Sequence, residues 1–267
     1  TETLKGVLRT GKRLGKGRSV LVVFQFAVSI GLLVCTGVVT RQLSFSKNMD
    51  PGFQKEGMII LPLVGDNVKA RGDELQRALS SIPGVMSGAA SSEVPSGGFT
   101  RNGYFPEQPE TPMMIHVVDV DERFLSTYDI QLVRGRNFSQ EIQSDKSAYL
   151  VNESLVKRLG WEDPIGKKIV RNGTHTIIGV VKDFHYATLH SDLEPLIITN
   201  QPWLDRFSFL SVRIMPGDIP ERLAAIRSVW TDVAPDAPFD YWFLDDAFDQ
   251  LYRSEQQFQK LFGAFSF

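Results

Sequence analysis

The chain has 267 residues, 29 Lys and Arg against 31 Asp and Glu, a formal net charge of −2, and 42 % hydrophobic residues. That balance offers no basic face and excludes nucleic acid as an expected partner. A single cysteine excludes a disulfide framework, so the fold must rest on core burial alone.

The first 18 residues form a basic segment with Lys5, Arg9, Lys12, Arg13, Lys16 and Arg18 against one acid, Glu2. An uncharged run, VLVVFQFAVSIGLLVCTGVV, extends from Val20 to Val39, with Gln25 its only strongly polar side chain. At about 1.5 Å rise per residue the run reaches roughly 30 Å, the thickness of a bilayer's hydrocarbon core. Lys and Arg on one flank predict a cytoplasmic N-terminus and place the residues after Val39 outside the inner membrane. A signal peptide would have an apolar part of about 7–15 residues and a small-x-small cleavage site. Val38-Val39-Thr40-Arg41-Gln42 offers none, and Cys35, preceded by Leu33-Val34, lacks the small residue of a lipoprotein signal. A buried helix of a soluble protein would show a polar face. Residues 19–48 are therefore expected to form a transmembrane helix and stalk in the lipid bilayer, stopped by Asp50-Pro51-Gly52.

Beyond the stalk the pattern alternates between α and β. Gly57–Leu63 predicts a strand; Val68–Ile82 predicts a helix through Leu75, Leu79 and Ile82, stopped by Pro83-Gly84; Val85–Ser92 predicts the returning strand of a β-α-β unit. Ser96-Gly97-Gly98 begins a Pro-rich loop, 95–112. Strands are expected at 113–120 and 132–135 around a short helix at 122–127, then at 148–151 before a helix at 153–159 capped by Asn152. Asn172-Gly173 marks a hairpin between 167–170 and 174–181. Further strands are expected at 196–199 and 207–214, a helix at 219–233 between Pro216-Gly217 and Pro235, and an aromatic strand at 239–243.

From Asp245-Asp246 onward, apolar residues at 248, 251, 252, 258, 262 and 265 approximate one helical face, and charge vanishes after Lys260. Residues 245–267 are expected to be a second stalk and the start of another transmembrane helix. Asp245-Asp246 reads as an acid pair stabilised by the helix dipole, not as a general acid and base.

The residues that carry chemistry elsewhere are weak here. Gly6-Val-Leu-Arg-Thr-Gly11-Lys12 imitates a phosphate loop, but Arg13 stands where a magnesium-binding hydroxyl belongs, and no strand precedes it. A basic segment lying on the cytoplasmic leaflet explains it better. His185 and His190, near Asp183, Asp192 and Glu194, match no compact zinc spacing. Ser91, Ser92 and Ser96 lie in no nucleophile elbow. No catalytic residue, cofactor or metal site is expected.

Tyr149-Leu-Val-Asn-Glu-Ser154, Trp161-Glu-Asp-Pro-Ile-Gly-Lys167, Ile178-Gly-Val-Val-Lys-Asp-Phe-His185 and Leu189-His-Ser-Asp-Leu-Glu-Pro195 resemble the MacB-like/FtsX-like ABC transporter permeases, as do Asp50-Pro-Gly-Phe-Gln-Lys55 and Gly135-Arg-Asn-Phe138. The resemblance spans essentially the whole chain. It implies an α+β periplasmic domain, 49–244, with porter-like β-α-β parts at 49–92 and 207–244 and an inserted β-rich subdomain at 93–206, flanked by transmembrane and stalk helices. It further implies a multi-pass protein of the bacterial inner membrane, a separate cytoplasmic ABC ATPase, a second permease protomer and mechanotransmission. The Pro-rich loop and the insertion are where a periplasmic protein or cargo would be met. Phe45, Asp50, Pro51, Phe248 and Tyr252 are expected to couple the stalks to the domain, with Phe45, Phe248 and Tyr252 packed between the two helices. A periplasmic sensor of a signalling protein and an FtsX-type regulator of cell-wall hydrolases are the competing readings.

Overall fold

The structure is a computed structural model and describes residues 11–47, 50–106, 111–186, 193–201 and 207–251. It divides into two bodies, of which Asp50–Leu251 is the folded domain. The other contributes α1, Gly11–Lys47. Within α1, Arg18–Cys35 is long and apolar enough to cross a membrane, and none of that stretch is buried. Val20, Leu21, Phe24, Phe26 and Ile30 are more than half exposed. An apolar surface on every side of a helix suits lipid rather than water.

The domain is α+β and runs β1 (Met58–Pro62), α2 (Asp66–Ala70), α3 (Gly72–Ser80), β2 (Val85–Ser91), β3 (Arg101–Pro106), β4 (Met113–Asp119), α4 (Phe124–Tyr128), β5 (Leu132–Gly135), β6 (Ala148–Asn152), α5 (Glu153–Leu159), β7 (Lys168–Val170), β8 (Thr174–Val181), β9 (Leu196–Thr199), β10 (Phe209–Ile214), α6 (Ile219–Val233), β11 (Trp242–Phe243) and α7 (Leu244–Leu251).

The first sheet takes strands from both ends of the domain, in the order β11-β1-β10-β2. β10 lies antiparallel between β1 and β2, and β11 is antiparallel to β1. Each β-α-β unit is therefore split by a strand of the other, the interlocked arrangement of ferredoxin-like folds. β1 reads Met-Ile-Ile-Leu without alternation because both its faces are covered. Ile59 and Leu61 meet Leu75 and Leu79 of α3 and Ile226 and Trp230 of α6, while Met58 and Ile60 join the other core layer.

The helix expected over 68–82 is broken. Arg71 leaves helical geometry at ψ 10° and separates α2 from α3. Its guanidinium donates to the Val233 carbonyl at the end of α6, a long-range bond no local pattern encodes. The last strand is also shorter than expected, at 242–243.

The second sheet runs β5-β8-β6-β9-β4-β3-β7, and β7 pairs with β8 as well. The pairing closes a six-stranded barrel, β8-β6-β9-β4-β3-β7, small enough to be filled by side chains. β7 and β5 share one edge of β8: β7 takes Thr174–Thr176 and β5 takes Gly179–Val181. The Asn172-Gly173 hairpin is present with a three-residue loop, since Val170 faces Thr174. β3 lies in the expected Pro-rich loop; Arg-Asn-Gly-Tyr-Phe-Pro has little strand character alone and is held by β4 on one side and β7 on the other. Residues 107–110 of that loop lie outside the described residues.

One apolar layer joins the two sheets: Met58, Ile60 and Ala89 of the first pack with Val118, Leu150 and Ile198 of the second. Gly135 closes β5 at φ +75°, and an added Cβ would collide with the Ile178 carbonyl of β8. Gly135→Ala is expected to cost at least about 2 kcal/mol, read as a lowered urea midpoint of the full chain in detergent; an unchanged midpoint would show that β5 yields freely.

Candidate functional site

The chain enters the domain through a tight turn. The Asp50 side-chain oxygen accepts a hydrogen bond from the Gly52 amide at 2.9 Å, an Asx-type closure. Pro51 is buried, and its carbonyl accepts from the His185 amide at 2.7 Å. Gly52 adopts φ +84°, and a Cβ there would stand 3.0 Å from the Asp183 carbonyl and 3.1 Å from Phe184 Cα. The turn thus lies flat on the backbone of Asp183–His185. Gly52→Ala is expected to lift it and cost about 1–3 kcal/mol, seen as faster hydrogen exchange at the His185 amide; protection equal to wild type would refute this docking.

Phe53 comes next, at 5 % exposure. Its ring meets Phe248 at 5.6 Å, Tyr128 at 5.8 Å and Phe184 at 6.1 Å between centroids, all edge-on. Such contacts favour fixed geometry beyond simple burial. Phe248 belongs to α7, the helix by which the chain leaves the domain. Among the described side chains of α7, Leu244 and Phe248, four residues apart, are the buried ones, and Asp245 and Asp246 occupy its first turn, where the dipole favours acids. The Lys55 ammonium sits 5.7 Å from the Phe248 ring. Lead-in turn and exit helix therefore grip each other within one aromatic cluster.

A polar clasp supports the cluster from the barrel side. Asn152 ends β6 and is 1 % exposed. Its carbonyl oxygen accepts from Leu155 N at 3.1 Å, capping α5, and from Leu196 N at 2.8 Å, starting β9. Its amide nitrogen donates to Asp183 Oδ1 at 2.7 Å and to the Glu194 carbonyl at 2.9 Å. All four hydrogen-bonding positions of a buried Asn are used. Asp183 also accepts from the Ser154 amide at 3.0 Å and its hydroxyl at 2.8 Å. Phe184 is 1 % exposed and meets Phe53, Phe99 and Tyr186 edge-on. Burial holds the neighbouring His185 below the ordinary histidine range, with the Asp183 charge opposing.

Asp121 ties the barrel to the first sheet. Its carboxylate accepts from Gln76 Nε2 at 2.5 Å and from the Ala90 and Arg123 amides at 3.0 and 3.1 Å. Burial pushes its carboxyl up to about 6, against opposing hydrogen bonds from Ala90 and Gln76. The folded state holds this proton more tightly than the unfolded chain, whose carboxyl titrates near 3.8. The stability it contributes is thus present below pH ~4 and lost as pH rises through about 6. Relative to Asp121→Asn, wild type is expected to lose on the order of 2 kcal/mol across that window. Urea midpoints against pH check this, and parallel profiles would refute it.

Of the residues expected to couple stalks and domain, the structure brings Asp50, Pro51 and Phe248 into one body. Phe248 is buried in the domain core. Phe45 lies in the helical backbone of α1, its side chain outside the described residues, and Tyr252 lies outside them altogether. Sequence reasoning missed Phe53, Phe184 and Asn152 as members of the junction. The first two come directly after Gly52 and Asp183 inside recognisable segments, but nothing local says that their rings meet. His116 bonds Glu194 Oε2 at 2.8 Å and the Phe99 carbonyl at 2.6 Å, while His190 and Asp192 lie outside the described residues. Among the described residues, no three His, Cys, Asp or Glu side chains form a metal-sized group.

The family model of the MacB-like periplasmic core domain matches residues 22–228, well over half of the chain. The periplasmic region of MacB from Actinobacillus actinomycetemcomitans shares the fold at a TM-score of 0.53 and 12 % identity, over 74 % of this chain and 93 % of that one. The extracellular domain of the noncanonic ABC-type transporter YknZ from Gram-positive bacteria aligns at 0.49 and 16 % identity, over 69 % and 97 %. No curated protein sequence matches. By the extent of the family match, the chain belongs to the MacB-like periplasmic core domain family, the extracytoplasmic part of membrane-anchored, MacB-like ABC transporter permeases.

Proposed function

We propose that the chain is the permease subunit of an ABC transporter of the MacB/FtsX type, coupling cytoplasmic ATP hydrolysis to a conformational change on the far side of the membrane. In this reading it is a multi-pass protein of a bacterial inner membrane, pairs with a second protomer, and takes its ATPase activity from a separate cytoplasmic subunit. Residues 49–92 and 207–244 act as the porter-like part, 93–206 as the insertion, and 245–267 as the path into the next span. A periplasmic protein is a further partner, met at the loop 95–112 or the insertion. Phe45, Asp50, Pro51, Phe248 and Tyr252 line the route of coupling.

The observation that carries this reading is the ring contact between Phe53 and Phe248 at 5.6 Å. The segment after α1 in the chain and the helix leaving the domain are fixed to one packed cluster, not to separate loops. Packed interiors deform little, so a displacement imposed at either point is shared by the domain. The test uses the full chain reconstituted in vesicles with its ATPase, Cys35 replaced by Ala, and spin labels at the exposed Asp73 of both protomers. Wild type is expected to show a nucleotide-dependent distance change. Phe53→Ala is expected to lose it while ATP hydrolysis stays within about twofold, and Phe53→Leu, which keeps the packing, to retain it. An equal change in Phe53→Ala would overturn the coupling role. No change in wild type would overturn the transporter reading.

A further inference from the structure

The barrel end opposite the clasp, where β4 and β9 finish and β6 and β8 begin, is built differently. Inward-facing positions alternate along each strand. At mid-barrel they are apolar: Ile115, Val151, Ile169, Ile177 and Ile197, all buried. One inward step further they are Val117, Tyr149, His175, Thr199 and, just past β7, Arg171, with Tyr104 of β3 beside them, and Asn102 and Asp119 follow one step beyond. A barrel filled only for stability would continue the apolar series. Here it opens into a cleft of about 880 Å³, within the size range of small-molecule sites at barrel mouths.

The floor is rigid. Tyr149 stacks on His175 at 4.3 Å and meets Tyr104 edge-on at 6.0 Å. The Arg171 guanidinium lies 4.9 Å from the Tyr104 ring centre and donates to its hydroxyl at 3.0 Å. His175 Nε2 lies 3.2 Å from the Arg171 carbonyl, and its Nδ1 is buried without a protein partner. Burial lowers the His175 pKa and raises that of both tyrosines, so the floor is a neutral imidazole and two protonated phenols. At the rim, Arg171 and Lys146 are balanced by Asp119 and Glu93. Between them stand the side-chain amides of Asn102, Asn200 and Gln201 and the Thr199 hydroxyl.

We propose that this cleft binds a neutral small molecule dense in hydroxyl groups, of mono- or disaccharide size. Two charges of each sign cancel and leave nothing to favour an anion, and the Arg171 guanidinium is already engaged by Tyr104. Amides and hydroxyls both donate and accept, as a polyol requires. The floor is too polar for an apolar ligand, which would leave those groups unpaired. The proposal goes beyond the coupling function and stands or falls separately from it.

The full chain in a detergent without a sugar headgroup is titrated calorimetrically with glucose, maltose and N,N′-diacetylchitobiose, and with inorganic phosphate for comparison. Saturable binding of at least one sugar is expected, with Kd on the order of 10 μM to 10 mM. Asn102→Ala with Asn200→Ala is expected to weaken it at least about tenfold, with the urea midpoint unchanged. No saturation with any sugar up to about 50 mM would overturn the proposal. So would tighter binding of phosphate, or undiminished affinity in the double variant.

Discussion

Phe248→Ala is expected to cost the fold about 3–5 kcal/mol and to free α7 from the domain. The ring is 1 % exposed and has Phe53 at 5.6 Å and the Lys55 ammonium at 5.7 Å. Its removal leaves a cavity among rings held by many partners, so collapse recovers little of the loss. The effect is directional as well as energetic. α7 is short, and among its described side chains Leu244 and Phe248 are the buried ones, so of these the variant keeps Leu244. Hydrogen exchange over 244–248 should rise far more than over β1 or β10, and Phe248→Leu should restore most of the protection. A uniform rise across the domain would mean that α7 is an ordinary part of the core and not the fastening of the exit path. Because Phe53 loses its ring partner too, Phe53→Ala and Phe248→Ala should be less than additive.

The second large effect is expected at Asn152. Asn152→Ala removes the acceptor of two amides, Leu155 and Leu196, and the donor to Asp183 and the Glu194 carbonyl. Leaving buried groups unpaired is costlier than a lost hydrogen bond alone, and about 3–5 kcal/mol is expected. Asn152→Asp is nearly isosteric yet should be worse at neutral pH. It keeps the acceptor but sets an anionic oxygen 2.7 Å from Asp183 Oδ1, where a donor stood. Two carboxylates at that separation cannot both stay ionised. The Asn152→Asp deficit should therefore shrink as pH falls into the carboxylate range and a proton bridges the pair, whereas the Asn152→Ala deficit should stay. Urea midpoints of both variants against pH distinguish the cases. A smaller deficit for Asp than for Ala at pH ~7 would mean that the clasp is held by capping of α5 and not by the Asn152–Asp183 bond.

Much of the domain was legible because the signals are local. Asn152 before Glu-Ser-Leu is a cap, and the structure closes it onto Leu155. Pro216-Gly217 and Pro235 bracket α6, whose bounds, Ile219–Val233, are those the periodicity predicts. The motif segments Tyr149–Ser154 and Ile178–His185, legible as marks of the family and not as a site, contain Asn152, Asp183 and Phe184, which the structure brings together beside the entry turn. What those residues do there was not legible. A polar pair such as Asn152 and Asp183, 31 positions apart, becomes a clasp only once β6 and β8 lie parallel in one barrel.

By itself, then, the sequence determined the apolar α1, the mixed α and β character of the domain beyond it, the family, and the location of most elements. These depend on neighbours within a few residues: hydrophobic period, caps, turns and an uninterrupted apolar run. The tertiary structure alone decided that Arg71 breaks a helix to reach Val233, that Arg101–Pro106 becomes a strand, that β7 closes the barrel, and that Phe53 meets Phe248. Each of these joins segments far apart in the chain, and the free energy that selects them comes from burial and pairing of distant surfaces, which no local pattern of residues records.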